Sequence, residues 1–178
     1  MKVIAISDVT GGIANPKGID IAAIFDHPTL ETVESEDRMN AGEVLEIKCD
    51  VLIPAALGGV ITESNCGKIN ADFIIEGANQ PLTIAADLEL RGQGVIIVPD
   101  ILANSGGVMG SYFEWTQNIQ EFSWPIEKFR RELDERMEKS FANVHKVSKK
   151  YSVDLRTAAF IVSVERVAHA FELRGSLV

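Results

Sequence analysis

Val98-Pro-Asp-Ile-Leu-Ala-Asn104-Ser-Gly-Gly-Val108-Met-Gly-Ser111-Tyr-Phe-Glu-Trp-Thr-Gln-Asn118 is the stretch that decides the reading of this chain. An apolar strand runs into a turn, and a helix opens on Asn104-Ser-Gly-Gly, with Ser111 and Glu114 in its first turns. This is the layout of a site at the carboxyl end of a parallel strand. Small residues there let a ligand approach the backbone N–H groups of a helix N-terminus. Asn104 is placed to orient a ligand, and Ser111 to donate to a carboxylate. Glu114 is read as structural, and Tyr112, Phe113 and Trp115 as packing.

Working outward, the apolar runs Val3–Ile6, Val51–Ile53, Phe73–Ile75 and Val95–Val98 read as strands. They are continuous rather than alternating, as expected when both faces of a sheet are covered. Segments able to hold helices separate them, which is the βαβ pattern of a parallel sheet and makes the fold class α/β. Ile19–Phe25 reads as a short helix with Asp20 as its cap. Thr62 is expected to cap a short helix ending near Gly67. Thr83 is expected to cap another through Arg91, stopped by Gly92 and Gly94. The acidic loop from Pro28 to Met39 is expected to be the mobile piece.

After Asn118 the pattern is helical only. Ile126, Phe129, Leu133, Met137, Phe141, Val144, Val147 and Tyr151 recur at steps of three or four, giving one long amphipathic helix opened by Pro125. Its charged run, Glu127 to Lys139, is a solvated face. Asp154 caps a last helix, Leu155 to about Leu173. Ala158, Phe160, Ile161, Val162, Val164, Val167 and Ala168 make it apolar on more than one side, so it is expected to be buried or to pack on another domain.

The bulk numbers bound the function classes. A chain of 178 residues, 46% hydrophobic, holds one ordinary domain with a substantial core. Its apolar runs are far too short to span a bilayer, and its first residues read as a strand rather than a signal peptide. Cys49 and Cys66 have no metal-site spacing and are expected to be reduced, in the cytoplasm. His27, His145 and His169 form no ligand cluster, so no metal is expected. A net charge of −9 argues against a nucleic-acid or anionic-membrane partner.

Three further strands end in polar turns of small residues. Ser7-Asp8-Val-Thr10-Gly11-Gly12 follows the first. Asp8 suits either of two roles: an acid accepting hydrogen bonds from an adenosine ribose, with Ser7 beside it, or a local cap in an ordinary strand-to-helix turn. A ribose-binding carboxylate repels a 2′-phosphate and so favours NAD over NADP. Pro54-Ala55-Ala56-Leu57-Gly58-Gly59 follows the second and permits either close passage of a ligand or tight packing. Glu76-Gly77-Ala78-Asn79-Gln80-Pro81 follows the third. Asn79 offers a paired donor and acceptor to a ribose or a carboxamide, or supports the turn before Pro81.

These stretches, with Asn15-Pro-Lys-Gly-Ile-Asp20 and Leu173-Arg-Gly175, closely resemble the carboxyl-terminal, dinucleotide-binding domain of the glutamate dehydrogenases. The nearest flavour is the plant and cyanobacterial one. The resemblance implies oxidative deamination of L-glutamate to 2-oxoglutarate and ammonia, with hydride passing to NAD, or to NADP. It implies that Ser7 and Asp8 meet the adenosine ribose, that Ala55 and Asn79 lie towards the nicotinamide, and that Ala56 also binds the cofactor. Asn104 would lie where cofactor and substrate meet, and Val108 and Ser111 would line the pocket for the substrate side chain. Met109-Gly110 departs from the usual Thr-Val, and Gln80–Asp87 lacks a second proline.

No Gly-x-Gly-x-x-Gly turn occurs. The resemblance therefore implies a Rossmann-like sheet lacking its first strand, across one incomplete domain of residues 1–178. From about residue 119 a helical tail would pack back towards a substrate domain that precedes Met1. No residue of the chain is assigned a catalytic role, little or no activity is expected of it alone, and a homo-oligomer is expected at full length. The rival readings are a dehydrogenase for leucine, valine or phenylalanine, a non-catalytic binding or assembly module, and an unrelated nucleotide-binding regulator.

Overall fold

Val9 and Thr10 form a two-residue loop between strands β1 (Ala5–Asp8) and β2 (Gly11–Ala14), which pair antiparallel with Asp8 opposite Gly11. The expected first strand, Val3–Ile6, is thus displaced by two residues, and it belongs to a hairpin rather than to the parallel sheet. Gly11-Gly12, expected to belong to a polar turn after the strand, instead opens the returning strand. The reason lies in Gly12. A Cβ there would come within 2.4 Å of the Val44 side chain and 3.2 Å of that of Met39, so only glycine lets the strand pass. Strand β3 (Arg38–Met39) adds to β2 and completes a sheet in the order β1-β2-β3.

The computed structural model describes residues 1–175, and its chain divides into two compact units. The first comprises Met1–Ile74 and Gln80–Ile96; the second comprises Ile75–Asn79 and the chain from Ile97 onward.

In the first unit, the Asp20 carboxylate accepts from the amides of Ala22 and Ala23 and starts α1 (Ile21–Ile24), as expected of a cap. The acidic loop that follows is organised from within. The Arg38 guanidinium donates to the carbonyls of Leu30, Glu31 and Val33, folding the loop round a 3-10 turn at Leu30–Thr32. Helix α2 (Ala41–Val44) follows, and its Val44 is buried together with Ile13 and Leu30.

Strands β4 (Cys49–Leu52) and β5 (Ala71–Ile75) pair in parallel, with Cys49 opposite Ala71 and Leu52 opposite Ile74. With β6 (Ile96–Val98) they form the three-stranded sheet β4-β5-β6 of an α/β fold. Their core faces are covered, but Phe73 and Ile96 are 42% and 47% exposed, so the continuous apolar runs do not mean two covered faces here. Thr62 does not cap a helix. Its carbonyl accepts from the amides of Asn65 and Cys66, and the turn tightens into a 3-10 segment at Cys66–Lys68. Thr83 does cap α3 (Ile84–Gly92), its hydroxyl accepting from the Ala86 amide, and Gly94, at φ +92°, reverses the chain afterwards. Both cysteines are free thiols.

The second unit is helical: α4 (Asp100–Ala103), α5 (Gly106–Gln120), α6 (Ile126–Tyr151) and α7 (Leu155–Arg174). Pro125 opens α6 and Asp154 caps α7, accepting from the amide and hydroxyl of Thr157. Helices α6 and α7 form a hairpin round a core of Leu102, Val144, Ala158 and Ala159. Phe113 is buried against Trp124 and, edge to face, Phe129. Tyr112 and Trp115, expected to pack, are more than half exposed. Helix α7 is not mostly buried: Phe160, Val164, Val167 and Phe171 all face outward.

The tight approach of β2 to α2 is tested by a matched pair of substitutions. Gly12→Ala forces Val44 aside and is expected to cost about 1–3 kcal/mol. Gly42→Ala, in open space within α2, is expected to be neutral or to stabilise by about 0.4–1 kcal/mol. Urea unfolding of both variants checks this; equal effects would contradict the close packing of Gly12 against Val44.

Candidate functional site

Asn79 and Asn104, 25 residues apart in the chain, touch. Asn104 Nδ2 donates to Asn79 Oδ1 at 2.7 Å. Each sits just past the carboxyl end of a strand, Asn79 after β5 and Asn104 after β6 and the single turn of α4. Side-chain amides carry both a donor and an acceptor. Once one amide donates to the other, the pair is left with one NH2 group and one carbonyl directed elsewhere, whichever of the two donates. A donor and an acceptor side by side are the complement of a primary carboxamide.

Glu76, to which the sequence reading assigned no role, stands behind this pair. It is fully buried, and both of its carboxylate oxygens are committed. Oε2 accepts from the Asp100 amide at 2.7 Å, and Oε1 meets Arg156 Nη2 at 2.6 Å. Arg156 Nη1 also lies 3.4 Å from Asp100 Oδ1. The ends of β5 and β6 and the first turn of α7 are thereby joined. An acid directly after Phe73-Ile-Ile75 signals that a buried charge needs a partner, but a partner 80 residues away cannot be read from spacing.

On α5, no side chain caps the first turn. The Ser105 hydroxyl turns away, donating to the Leu102 carbonyl. Gly110 lies close against Phe129, whose ring tip would be 3.3 Å from a Cβ there. Ser111 Oγ donates to the Gly107 carbonyl at 3.1 Å, and both Ser111 and Val108 are exposed. Asn104, Val108 and Ser111 therefore share one short stretch of the second unit.

The remaining expected residues belong to the first unit. Ser7 lies in β1 opposite Gly12. Asp8 Oδ1 accepts from the amide of Thr10 at 2.7 Å and from its hydroxyl at 2.6 Å, while Oδ2 accepts from the Leu30 amide at 2.7 Å. The Thr10 hydroxyl, followed by the Leu30 amide, holds this carboxyl below its ordinary range. Of the two roles open to Asp8, this geometry performs the local one, locking the hairpin loop to the Leu30 turn. Ala55 and Ala56 are exposed after the buried Pro54. Their loop is fastened by backbone bonds, Gly59 N–H to the Gln80 carbonyl and Ile61 N–H to that of Pro81. A concavity of about 500 Å3 in this unit, lined by Ile13, Asn15, Asp20, Ile24, His27 and Asp37 among others, contains none of the expected residues.

Among the described residues, no group of three or more His, Cys, Asp or Glu is placed to hold a metal ion, and no helix is long and apolar enough to cross a membrane.

Comparison with known proteins agrees with this architecture. Residues 1–175 match the family model for glutamate/leucine/phenylalanine/valine dehydrogenases. A glutamate dehydrogenase of Thermotoga maritima is 46% identical over 178 residues, covering 98% of this chain and 43% of that protein. Among solved structures, the hetero-hexameric glutamate dehydrogenase of Thermus thermophilus, in a leucine-bound form, superposes with a TM-score of 0.90 at 30% identity, covering 100% of this chain and 43% of that one. The glutamate dehydrogenase of Peptoniphilus asaccharolyticus gives 0.77 at 32% identity, covering 98% of this chain and 41% of that one. The chain thus spans less than half the length of these relatives.

The anchoring of Asp8 predicts a pH signature. A carboxyl held below its ordinary value of 3.8 in the folded state stabilises the fold above that value, and the benefit is lost as pH falls through the folded value. The gap in urea midpoint between the parent and Asp8→Asn is therefore expected to be constant from neutral pH to about pH 5. It should close below pH 3.8. A gap independent of pH down to the acid limit would contradict the anchoring.

Proposed function

The chain belongs to the glutamate/leucine/phenylalanine/valine dehydrogenase family, and on that premise we propose that it is the dinucleotide-binding part of a glutamate dehydrogenase, serving the oxidative deamination of L-glutamate to 2-oxoglutarate and ammonia. The observation that carries this reading is the Asn79–Asn104 pair. Its free donor and acceptor match the carboxamide of a nicotinamide, and it stands at strand ends, where α/β sheets bind ligands.

Within the first unit, the residues that the resemblance assigns to the cofactor each suit that role. Ala55 and Ala56 offer exposed, small surfaces beyond β4, over which a ligand can pass without steric conflict. Asp8 is partly exposed at the end of β1 beside Ser7, where its carboxylate would meet an adenosine ribose. That placement favours NAD over NADP, because a carboxylate repels a 2′-phosphate. When bound, the dinucleotide supplies the hydride acceptor, and the work of these residues is to hold and orient it.

Val108 and Ser111 would face the substrate side chain. Ser111 would turn its hydroxyl from the Gly107 carbonyl to the side-chain carboxylate of glutamate, exchanging a neutral acceptor for a charged and stronger one. This favours glutamate over leucine, valine or phenylalanine. We assign no proton-transferring residue to the chain, and we place the protein in the cytoplasm as a homo-oligomer at the length of its relatives.

NADH fluorescence titration of the chain tests the carrying observation. Asn104→Ala is expected to weaken binding about tenfold, by removing one partner and freeing Asn79 to rotate. Glutamate-dependent NAD reduction is expected only from a protein of the relatives' length. Unchanged NADH affinity in Asn104→Ala would overturn the assignment of the pair, and faster turnover of leucine than of glutamate would overturn the substrate.

A further inference from the structure

We propose that Arg156 is a positioning residue for the Asn79–Asn104 amide pair, acting on it through Glu76 and Asp100. The use of that pair by a cofactor rests on the reading above; the positioning itself does not.

The residues close a ring. Arg156 meets Glu76, and only Gly77 and the buried Ala78 separate Glu76 from Asn79. Asn79 meets Asn104, whose backbone N–H donates to the Asp100 carbonyl at 3.0 Å, one helical turn back. The Asp100 carboxylate returns to Arg156. The Asp100 amide braces the ring across its middle by donating to Glu76. One end of the ring is ionic, with the Glu76 side chain only 1% exposed; the other end is a neutral pair open to solvent.

The two ends differ in what they can hold. A hydrogen bond between two exposed amides competes with water and contributes little on its own, so it does not set the spacing of the chains that carry it. A buried carboxylate without its cation is far more costly, so the ionic end cannot relax outward. The geometry is therefore imposed from the buried end and expressed at the exposed one. The turn of α7 that carries Arg156 is anchored by packing. Ala158 and Ala159, two and three residues on, are buried against Leu102 and Val144. A guanidinium suits the task because its planar fork addresses two carboxylates at once, which the single point charge of a lysine does not.

The test uses the 178-residue chain with Arg156→Lys, Arg156→Met and, as control, Arg166→Met, which alters an exposed arginine on the same helix. Two readouts are taken: the side-chain amide resonances of Asn79 and Asn104, and NADH affinity. In Arg156→Lys, with circular dichroism unchanged, the two Asn104 Nδ2 protons are expected to lose their hydrogen-bonded shift separation. NADH affinity is expected to fall about fivefold to tenfold, the worth of one hydrogen bond. Arg166→Met should leave both readouts at parental values. If Arg156→Met fails to fold, the lysine variant decides. Unchanged Asn79 and Asn104 resonances in folded Arg156→Lys would overturn the proposal. If the parent binds no NADH, the cofactor reading falls, and the amide resonances still decide whether Arg156 positions the pair.

Discussion

A carboxylate removed from water at Glu76 is the constraint on which the helical unit depends. Unpaired, a buried ion costs several kcal/mol. Its two oxygens therefore demand strong donors, which they find in the Asp100 amide and the Arg156 guanidinium. Satisfying them requires the turn after β5, the start of α4 and the first turn of α7 to meet at one point. The helical hairpin is oriented by that meeting as well as by its apolar seam. Leu102, Val144, Ala158 and Ala159 supply burial, which is without direction, whereas the ion pair supplies the register.

The same constraint explains how a polar pair open to solvent comes to be ordered. Asn79 and Asn104 each follow a member of the buried cluster by three or four residues, and their hydrogen bond stands at the open end of a structure closed from within. The hairpin at the other end of the chain is built differently. There Gly12 supplies room, Asp8 ties the Val9-Thr10 loop to the Leu30 turn, and Arg38 gathers the carbonyls of the acidic loop. That loop, expected to be mobile from its composition, is held by Arg38 from within and by Asp8, Thr10 and Asn15 from the hairpin.

Much was legible along the chain because it is local. Asp20, Thr83 and Asp154 announce helices by side-chain chemistry acting over two or three residues, and all three act as caps. The 26-residue helix α6 follows from apolar steps of three and four together with Pro125. What failed was of another kind. Gly11-Gly12 was read as a polar turn after the strand, because two glycines carry no record of the Val44 side chain against which one of them lies. Thr62 resembled a cap, but its carbonyl and the Asn65 side chain close a tight turn instead. Tyr112 and Trp115 read as packing residues, and α7 as apolar on more than one side. Composition does not say which apolar surface the chain itself covers, and Tyr112, Trp115, Phe160 and Val164 face outward.

The amino-acid sequence by itself determined the α/β class, the caps of α1, α3 and α7 and the family, and it marked Asn79 and Asn104 as residues at strand ends. These are properties of neighbours in the chain, carried by hydrogen bonds and side-chain periods that span a few residues. Tertiary structure alone decided that the two asparagines touch, that Glu76 lies buried with Arg156 behind them, and that Asp8 accepts from the Leu30 amide. Each of those joins residues separated by 22 to 80 positions, and what selects such a partner is the cost of leaving a charge or an amide unmatched after folding.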